Sequence, residues 1–301
     1  MESIALLKRF CDEIGCDAIL GEPMSRHTTF QVGGPADIFI TPENQRQVSQ
    51  LITYLCGQGI RYHVLGKGSN VLVGDSGIRG AVIHIGRKLS GAVRDGNTIS
   101  CGAGMPLAEL CRFALQEGLS GLEFAYGIPG SAGGAAYMNA GAYGGEMRDV
   151  LLSCRHVDSR GNPGELSGED LRLSYRKSAY SDSSCCITGV TVGLTPAPKD
   201  VIRERMTELM CRREEKQPLE YPSAGSTFKR PANGYAAEMI ERCGLKGCSV
   251  GGAMVSTKHS GFVVNAGGAT CDDVLRLIDV VKKQVLHQTG TELECEVKLL
   301  D

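Results

Sequence analysis

Several ordinary clues to function are missing from this sequence. No apolar run approaches the length of a membrane span, so a membrane partner is not expected. The thirteen cysteines show no CxxC pair and no zinc-like Cys/His spacing, so no metal site is expected. There is no GxSxG elbow, and the six histidines are isolated, which leaves a hydrolase triad without support. The net charge of −2 supplies no cationic surplus for a polyanion, so nucleic acid is not an expected partner. Low-complexity segments and exact repeats are absent. The opening MESIALLKRFCDEIG has charges interrupting its apolar positions and no small-residue cleavage site, so it predicts an amphipathic helix rather than a signal peptide. An odd cysteine count without such a signal implies reduced thiols, mostly small core residues, in the cytoplasm.

What the chain has in excess is glycine. Forty glycines in 301 residues is well above the usual share of roughly 7%. The backbone must therefore approach something closely, or adopt positive φ, at many places, a first hint of a large bound cofactor. The balance of 42% hydrophobic and 22% charged residues is that of a soluble globular protein. The length suffices for two domains, or three small ones, each with its own core.

The run ADIFI at 36–40 predicts a strand, and TPEN a helix start with Pro42 in the first turn. Val48, Leu51, Ile52 and Leu55 then fall at helical spacing, predicting a helix to about Gln58 before a second strand at 61–65. This is a βαβ unit. Residues 98–118 repeat the theme, with a helix beginning at Pro106. The segment 124–145 is too glycine-rich for a stable helix interior or strand, and predicts a loop pressed against a ligand or another chain segment. TPAPKD at 195–200 is the best linker and marks the main boundary. Beyond it the pattern predicts a charged helix at 201–216 and a strand in GFVVNAGG. A helix at 272–287 should carry Val274, Leu275, Ile278, Val281 and Val285 on one stripe, and an alternating strand at 292–299 closes the chain.

Five stretches could carry chemistry. GKGSN at 66–70 offers backbone N–H groups, a lysine and a hydroxyl, as a diphosphate needs, but an ordinary tight turn has equal claim. It is not GxGxxG, and a strand rather than a helix follows it, so it fails the context test for a dinucleotide-binding fingerprint. In IPGSAGGAAYMNAGAYG, Pro129 and Gly130 set a turn, small residues permit close approach, and Asn139 supplies a two-way amide. Together the two loops suggest a planar ligand with a phosphate tail; the alternative is that the glycines only let strands pack. In SYRKSAY, Arg176 offers directed donors to a carboxylate while Lys177 turns to the other face of a strand, an exposed basic strand end being the commoner explanation. YPSAGSTFKRP suits a serine held at a turn, and TELECEV puts Glu292, Glu294 and Glu296 on one face without choosing among them.

In this order the motifs TTFQVGGPAD, LGKGSNVLV, IPGSAGGAAYMNAGAYG, YRKS, AGSTFK and the final ECEV resemble the UDP-N-acetylenolpyruvoylglucosamine reductase family, over nearly the whole chain. The short connections at 143–173 and 200–220 resemble its shorter, type II branch, which lacks a substrate-covering tyrosine loop. The resemblance implies an α+β protein. An FAD-binding domain of the p-cresol methylhydroxylase/vanillyl-alcohol oxidase type is expected at 1–198 in two α/β subdomains, about 1–86 and 87–198. A smaller α+β substrate domain is expected at 199–301. FAD is expected to be non-covalent, since GKGSN has neither His nor Cys. The resemblance gives its contacts to Gly66, Lys67, Gly68, Ser69 and Asn70, and to Pro129, Gly130, Ser131, Ala132, Gly133, Asn139, Gly141 and Ala142.

The family's catalytic trio carries over to Arg176, Ser226 and Glu296, with Tyr175 and Lys216 as substrate contacts. The implied activity is NADPH-dependent reduction of UDP-N-acetylglucosamine enolpyruvate to UDP-N-acetylmuramate, for peptidoglycan precursors, by a monomer. Two rivals stand beside it: a flavin oxidase of the same fold, and a non-catalytic flavin or nucleotide-sugar binding protein.

Overall fold

The protein is described over residues 2–301 by a computed structural model. Its N-terminal segment is the amphipathic helix that its spacing predicts: α1 (Glu2–Glu13) buries Leu7 and Cys11. The chain forms two compact units. Unit 1 comprises residues 1–20, 38–67 and 80–213, and unit 2 comprises 21–37, 68–79 and 214–301.

Unit 1 contains the βαβ segment. Strands β1 (Asp17–Pro23) and β2 (Pro35–Thr41) precede α2 (Gln45–Gly57) and β3 (Tyr62–Leu65). Helix α2 starts at Asn44 rather than in the turn of Pro42: the Asn44 side chain accepts from Gln47 N at 3.0 Å, satisfying an N–H the helix cannot. After β4 (Val71–Val73) comes β5 (Ile78–His84), and the sheet order is β1-β2-β5-β3. The crossover through α2 thus leaves a place between β2 and β3, which β5 fills in parallel with β3. A second, five-stranded antiparallel sheet follows. It consists in order of Pro163–Ser167, Leu151–Val157, Cys186–Gly193, β7 (Thr98–Gly102) and β6 (Ala92–Asp95).

Helix α3 (Leu107–Glu117) buries Leu107, Leu110, Cys111 and Ala114. Both sheets contribute to one continuous core, running from Leu7 and Ile38 through Ile99 and Val190 to Ile202 and Met206. The expected boundary at 86/87 therefore does not separate two cores.

The segment expected to be loop throughout contains a helix, α4 (Ala132–Met138). Glycine lowers its intrinsic stability, and packing overrides that preference. A Cβ on Gly133 would lie 2.7 Å from Ala103 Cβ, so only a bare backbone lets α4 sit this close to the end of β7. Ser131 caps the start, accepting from Gly134 N at 3.4 Å, and Asn139 closes the end in the left-handed region at φ 42°.

Helix α5 (Lys199–Lys216) begins at the expected linker, but its residues up to Arg213 belong to unit 1, because Ile202 and Met206 are buried in that unit's core. The expected boundary at 198/199 thus differs from the division into compact units.

Unit 2 packs α6 (Ala236–Arg242) and α7 (Cys271–Thr289) with a three-stranded antiparallel sheet of Ser249–Val250, Ala253–Val255 and Val263–Asn265. Phe30, Val32 and Leu72 join this core from the early parts of the chain. The buried stripe of α7 is Val274, Leu277, Ile278, Val281 and Val285, whereas Leu275 is exposed. Spacings of three and four residues from Val274 reach 277 and 278 but not 275. The closing strand is shorter than its alternation predicts: only Lys298–Leu300 forms a ladder, parallel with β4.

Candidate functional site

In unit 2 the TTF motif acts as a clip. Thr29 N donates to Gly68 O at 3.0 Å, and its hydroxyl donates to Ser223 O at 2.7 Å, while Ser223 N donates back to Thr29 O at 3.1 Å. One threonine thereby ties the GKGSN loop to the serine motif. Asn265 adds a second tie, donating through Nδ2 to Phe30 O at 3.3 Å and through its backbone N to Pro222 O at 2.9 Å. Gly68 has φ +64°, and a Cβ there would overlap the His27 carbonyl oxygen, so glycine is required at the clip on both counts.

Ser226 follows Gly225, whose φ is +76°, and its side chain is exposed. The next residue is locked: Thr227 N donates to Gly261 O at 2.8 Å, and its hydroxyl accepts from Val263 N at 2.9 Å. Glu296 N in turn donates to Thr227 O at 2.8 Å. This separates the three glutamates that alternation left equivalent. Glu292 and Glu294 are exposed, and Glu294 pairs with Lys229. Glu296 is half-buried, one residue from Ser226 across a backbone pair, and its carbonyl accepts from Asn70 Nδ2 at 3.2 Å. Ser226, Glu296 and Asn70 thus come together within unit 2. Lys216 is exposed at the end of α5.

In unit 1, Arg176 lies on a hairpin turn and not on a strand. Ser174 and Lys177 exchange backbone hydrogen bonds at 2.9 and 3.1 Å, leaving Tyr175 and Arg176 at the corners. The expectation of alternate faces for Arg176 and Lys177 therefore fails. Arg176 has φ +55°, the positive value that type II turns need at their third residue and that costs a non-glycine about 1 kcal/mol. Such strain persists where its surroundings over-determine it. Here Arg176 Nη1 makes a long contact with Gly141 O at 3.5 Å, and its guanidinium lies 5.2 Å from the Tyr175 ring centroid.

Asn139 anchors that turn. It is fully buried, and its Nδ2 donates to Ser174 O at 2.9 Å and to Glu146 Oε2 at 3.1 Å, while Oδ1 accepts from Arg148 N at 2.8 Å. The amide expected to face a ligand is committed to protein groups. What Asn139 contributes is the position of the loop 141–142 and of the Arg176 turn. Neither this anchor nor the Thr29 clip carries a periodic signal, although both residues lie inside quoted motifs.

The two glycine-rich segments fit a flavin dinucleotide. Gly66 and Ser131 meet in unit 1, where a Cβ on Gly66 would lie 2.6 Å from Ser131 Oγ, so the bare backbone of the first segment packs against the serine side chain of the second. Lys67 and Pro129 are exposed and Gly130 is half-buried, whereas Ala132 and Gly133 are buried. All thirteen cysteines are free, and among the described residues no group of His, Cys, Asp or Glu could hold a metal ion. No helix among the described residues is long and apolar enough to cross a membrane.

Comparison with known proteins agrees with this arrangement. An FAD binding domain family matches residues 36–167, and the family described as UDP-N-acetylenolpyruvoylglucosamine reductase, C-terminal domain, matches 217–300. A UDP-N-acetylenolpyruvoylglucosamine reductase of Clostridium botulinum (strain Hall) is 48% identical over 295 residues, covering 98% of this chain and 96% of the relative. The protein of that name from Syntrophomonas wolfei is 47% identical over 281 residues, covering 93% and 94%. The crystal structure of the Thermus caldophilus reductase superposes with a TM-score of 0.81 at 35% identity, covering 95% of this chain and 99% of that one. The expected α+β fold, with an FAD-binding part and a smaller C-terminal part, is the fold of these relatives. Near-complete coverage at this identity shows that the chain belongs to the UDP-N-acetylenolpyruvoylglucosamine reductase family and is an FAD-dependent oxidoreductase.

Proposed function

We propose that the protein reduces UDP-N-acetylglucosamine enolpyruvate to UDP-N-acetylmuramate with NADPH as electron source, in the cytoplasm and as a monomer, with neither nucleic acid nor membrane as partner. The observation that carries the reading is the backbone bond from Glu296 N to Thr227 O at 2.8 Å, which brings Glu296 to the residue next to Ser226. Bound FAD supplies a two-electron carrier between NADPH and the vinyl carbon. The residues that would hold it are Gly66 to Asn70, Pro129 to Gly133, Gly141 and Ala142, with Asn139 positioning the loop that carries the last two.

An enol ether is electron-rich, so electrons enter its methylene carbon only if the attached carboxylate accepts the displaced charge. Arg176 is assigned to that carboxylate, because a guanidinium stays protonated and aims fixed donors at both oxygens. Its strained turn, tethered through Asn139, keeps it preorganised. Glu296 acts in its acid form, since an ionised carboxylate beside the substrate's own would repel it. Ser226 gives a proton to the carbon bearing the ether oxygen, and Lys216 supports the alkoxide left behind. Tyr175 contacts the sugar nucleotide.

The test is anaerobic stopped-flow spectroscopy of Ser226→Ala. NADPH should bleach the flavin at the wild-type rate, and reoxidation by the enolpyruvyl sugar should slow by about 10²- to 10⁴-fold, the usual worth of a positioned acid. Reoxidation at the native rate removes Ser226 from the mechanism. Rapid reoxidation by air without the sugar favours an oxidase instead.

A further inference from the structure

Helix α5 carries a residue that its own pattern does not explain. Its buried positions Ile202, Met206, Leu209 and Arg213 recur at spacings of four, three and four residues, which is a single helical stripe. A guanidinium therefore occupies a place where the stripe calls for an aliphatic side chain. Arg213 is only 7% exposed, and its Nε has no hydrogen-bond partner. Among the described residues no carboxylate forms an ion pair with it. Burial lowers its pKa from the ordinary arginine value, opposed only by the Tyr143 phenol. A buried charge without a counter-charge is unfavourable unless an acceptor comes to it.

The neighbours of this guanidinium identify the acceptor. A Cβ on Gly127 would lie 2.8 Å from Arg213 Cδ and 3.6 Å from Nε. Gly127 immediately precedes the second flavin segment, and its bare backbone is what lets the arginine stem lie there. Tyr143 closes the same segment, and its ring faces the Arg212 guanidinium at 5.7 Å. Arg213 thus packs against the start of the segment, and the Tyr143 phenol near its end acts on it electrostatically, both within unit 1.

FAD has two acceptor regions, the diphosphate and the N1–C2=O edge of the isoalloxazine ring. The diphosphate suits the GKGSN loop, with its exposed Lys67 and abundant N–H groups. A cation already stripped of water suits the ring, which is apolar and whose N1–C2=O edge gains charge. Two electrons and one proton from the nicotinamide leave the ring with one negative charge shared by N1 and O2, while the nicotinamide departs more positive by one.

We propose that Arg213 donates to the N1–C2=O edge of the bound flavin and raises its reduction potential. This rests on the reading that the two glycine-rich segments hold FAD, and it adds a residue that sets the cofactor's electronics. Arg213 binds the reduced ring more tightly than the oxidised ring. A tenfold difference between those affinities is about 30 mV for a two-electron couple.

The experiment measures the midpoint potential of the flavin and the dissociation constant of oxidised FAD in wild-type, Arg213→Lys and Arg213→Met holoprotein. In the wild type the potential is expected above that of free FAD. Arg213→Met should lower it by at least the tenfold equivalent, with a smaller change in oxidised FAD affinity, and Arg213→Lys should lie between. An unchanged potential with weakened oxidised FAD binding would overturn the proposal in favour of a diphosphate contact. An unchanged potential with lowered stability alone would overturn it in favour of a structural role. Should Arg213→Met fail to fold, a wild-type potential below that of free FAD, or one unmoved in Arg213→Lys, overturns it equally. Wild-type protein that takes up no FAD would instead refute the flavin reading beneath it.

Discussion

Replacing Asn139 tests how the second flavin segment holds the catalytic turn. The side chain is fully buried and makes three hydrogen bonds, to Arg148 N, Ser174 O and the Glu146 carboxylate. Each neutral bond contributes roughly 1 kcal/mol, and one to a charged group roughly 1.5 kcal/mol or more. Their loss in Asn139→Gly should cost about 3.5 kcal/mol, since glycine still accepts the left-handed backbone at φ 42°. Asn139→Ala adds the Cβ penalty of about 1 kcal/mol in that region, for a total of about 4.5 kcal/mol. Urea denaturation of the three proteins measures both steps.

The Ser174 bond also has a functional reading. Untethering it loosens the turn that carries Arg176, so KM for the enolpyruvyl sugar should rise in Asn139→Gly while flavin reduction by NADPH stays fast. A loss below about 1 kcal/mol in Asn139→Ala, or an alanine no worse than glycine, would refute the account of Asn139 as anchor and left-handed cap.

Gly68→Ala forces a side chain into the His27 carbonyl at φ +64°. Purified variant should retain less than roughly a tenth of the wild-type flavin, a shift of only about 1.4 kcal/mol, read from the visible absorbance per protein; normal flavin content would show the clip can yield. The Asp273 carboxyl is held below the ordinary 3.8 by the Thr270 and Gly252 N–H groups, with Arg276 beyond them. A depressed folded value means the stabilisation is complete above the unfolded value and fades as pH falls through the folded one. Asp273→Asn should therefore narrow the stability difference between pH 7 and pH 3 in denaturant titrations, and an unchanged pH profile would count against the cap.

The helices were largely legible because helical periodicity depends on neighbours three and four residues away. The stripe of α2 follows from it, and the same logic explains the miss at Leu275, one position off the spacing set by Val274. The glycine-rich segment was misread at 132–138 because propensity is local, whereas the contact that makes glycine necessary there is with Ala103 on another element. Motif order, compared with a known family, supplied the expected flavin segments and catalytic residues. Composition alone suggested only a large ligand.

Sequence by itself determined most of the helices, the glycine positions and the absence of metal-ligand spacing, since these depend on short-range sterics and residue chemistry. Only the tertiary structure decided which glutamate adjoins Ser226, that Asn139 serves the protein more than a ligand, and that unit 2 gathers its core from three separated stretches of chain. The physical reason is separation along the chain. Asn70 and Glu296 share a hydrogen bond across 226 positions, and a bond of that reach leaves no period in the sequence to read.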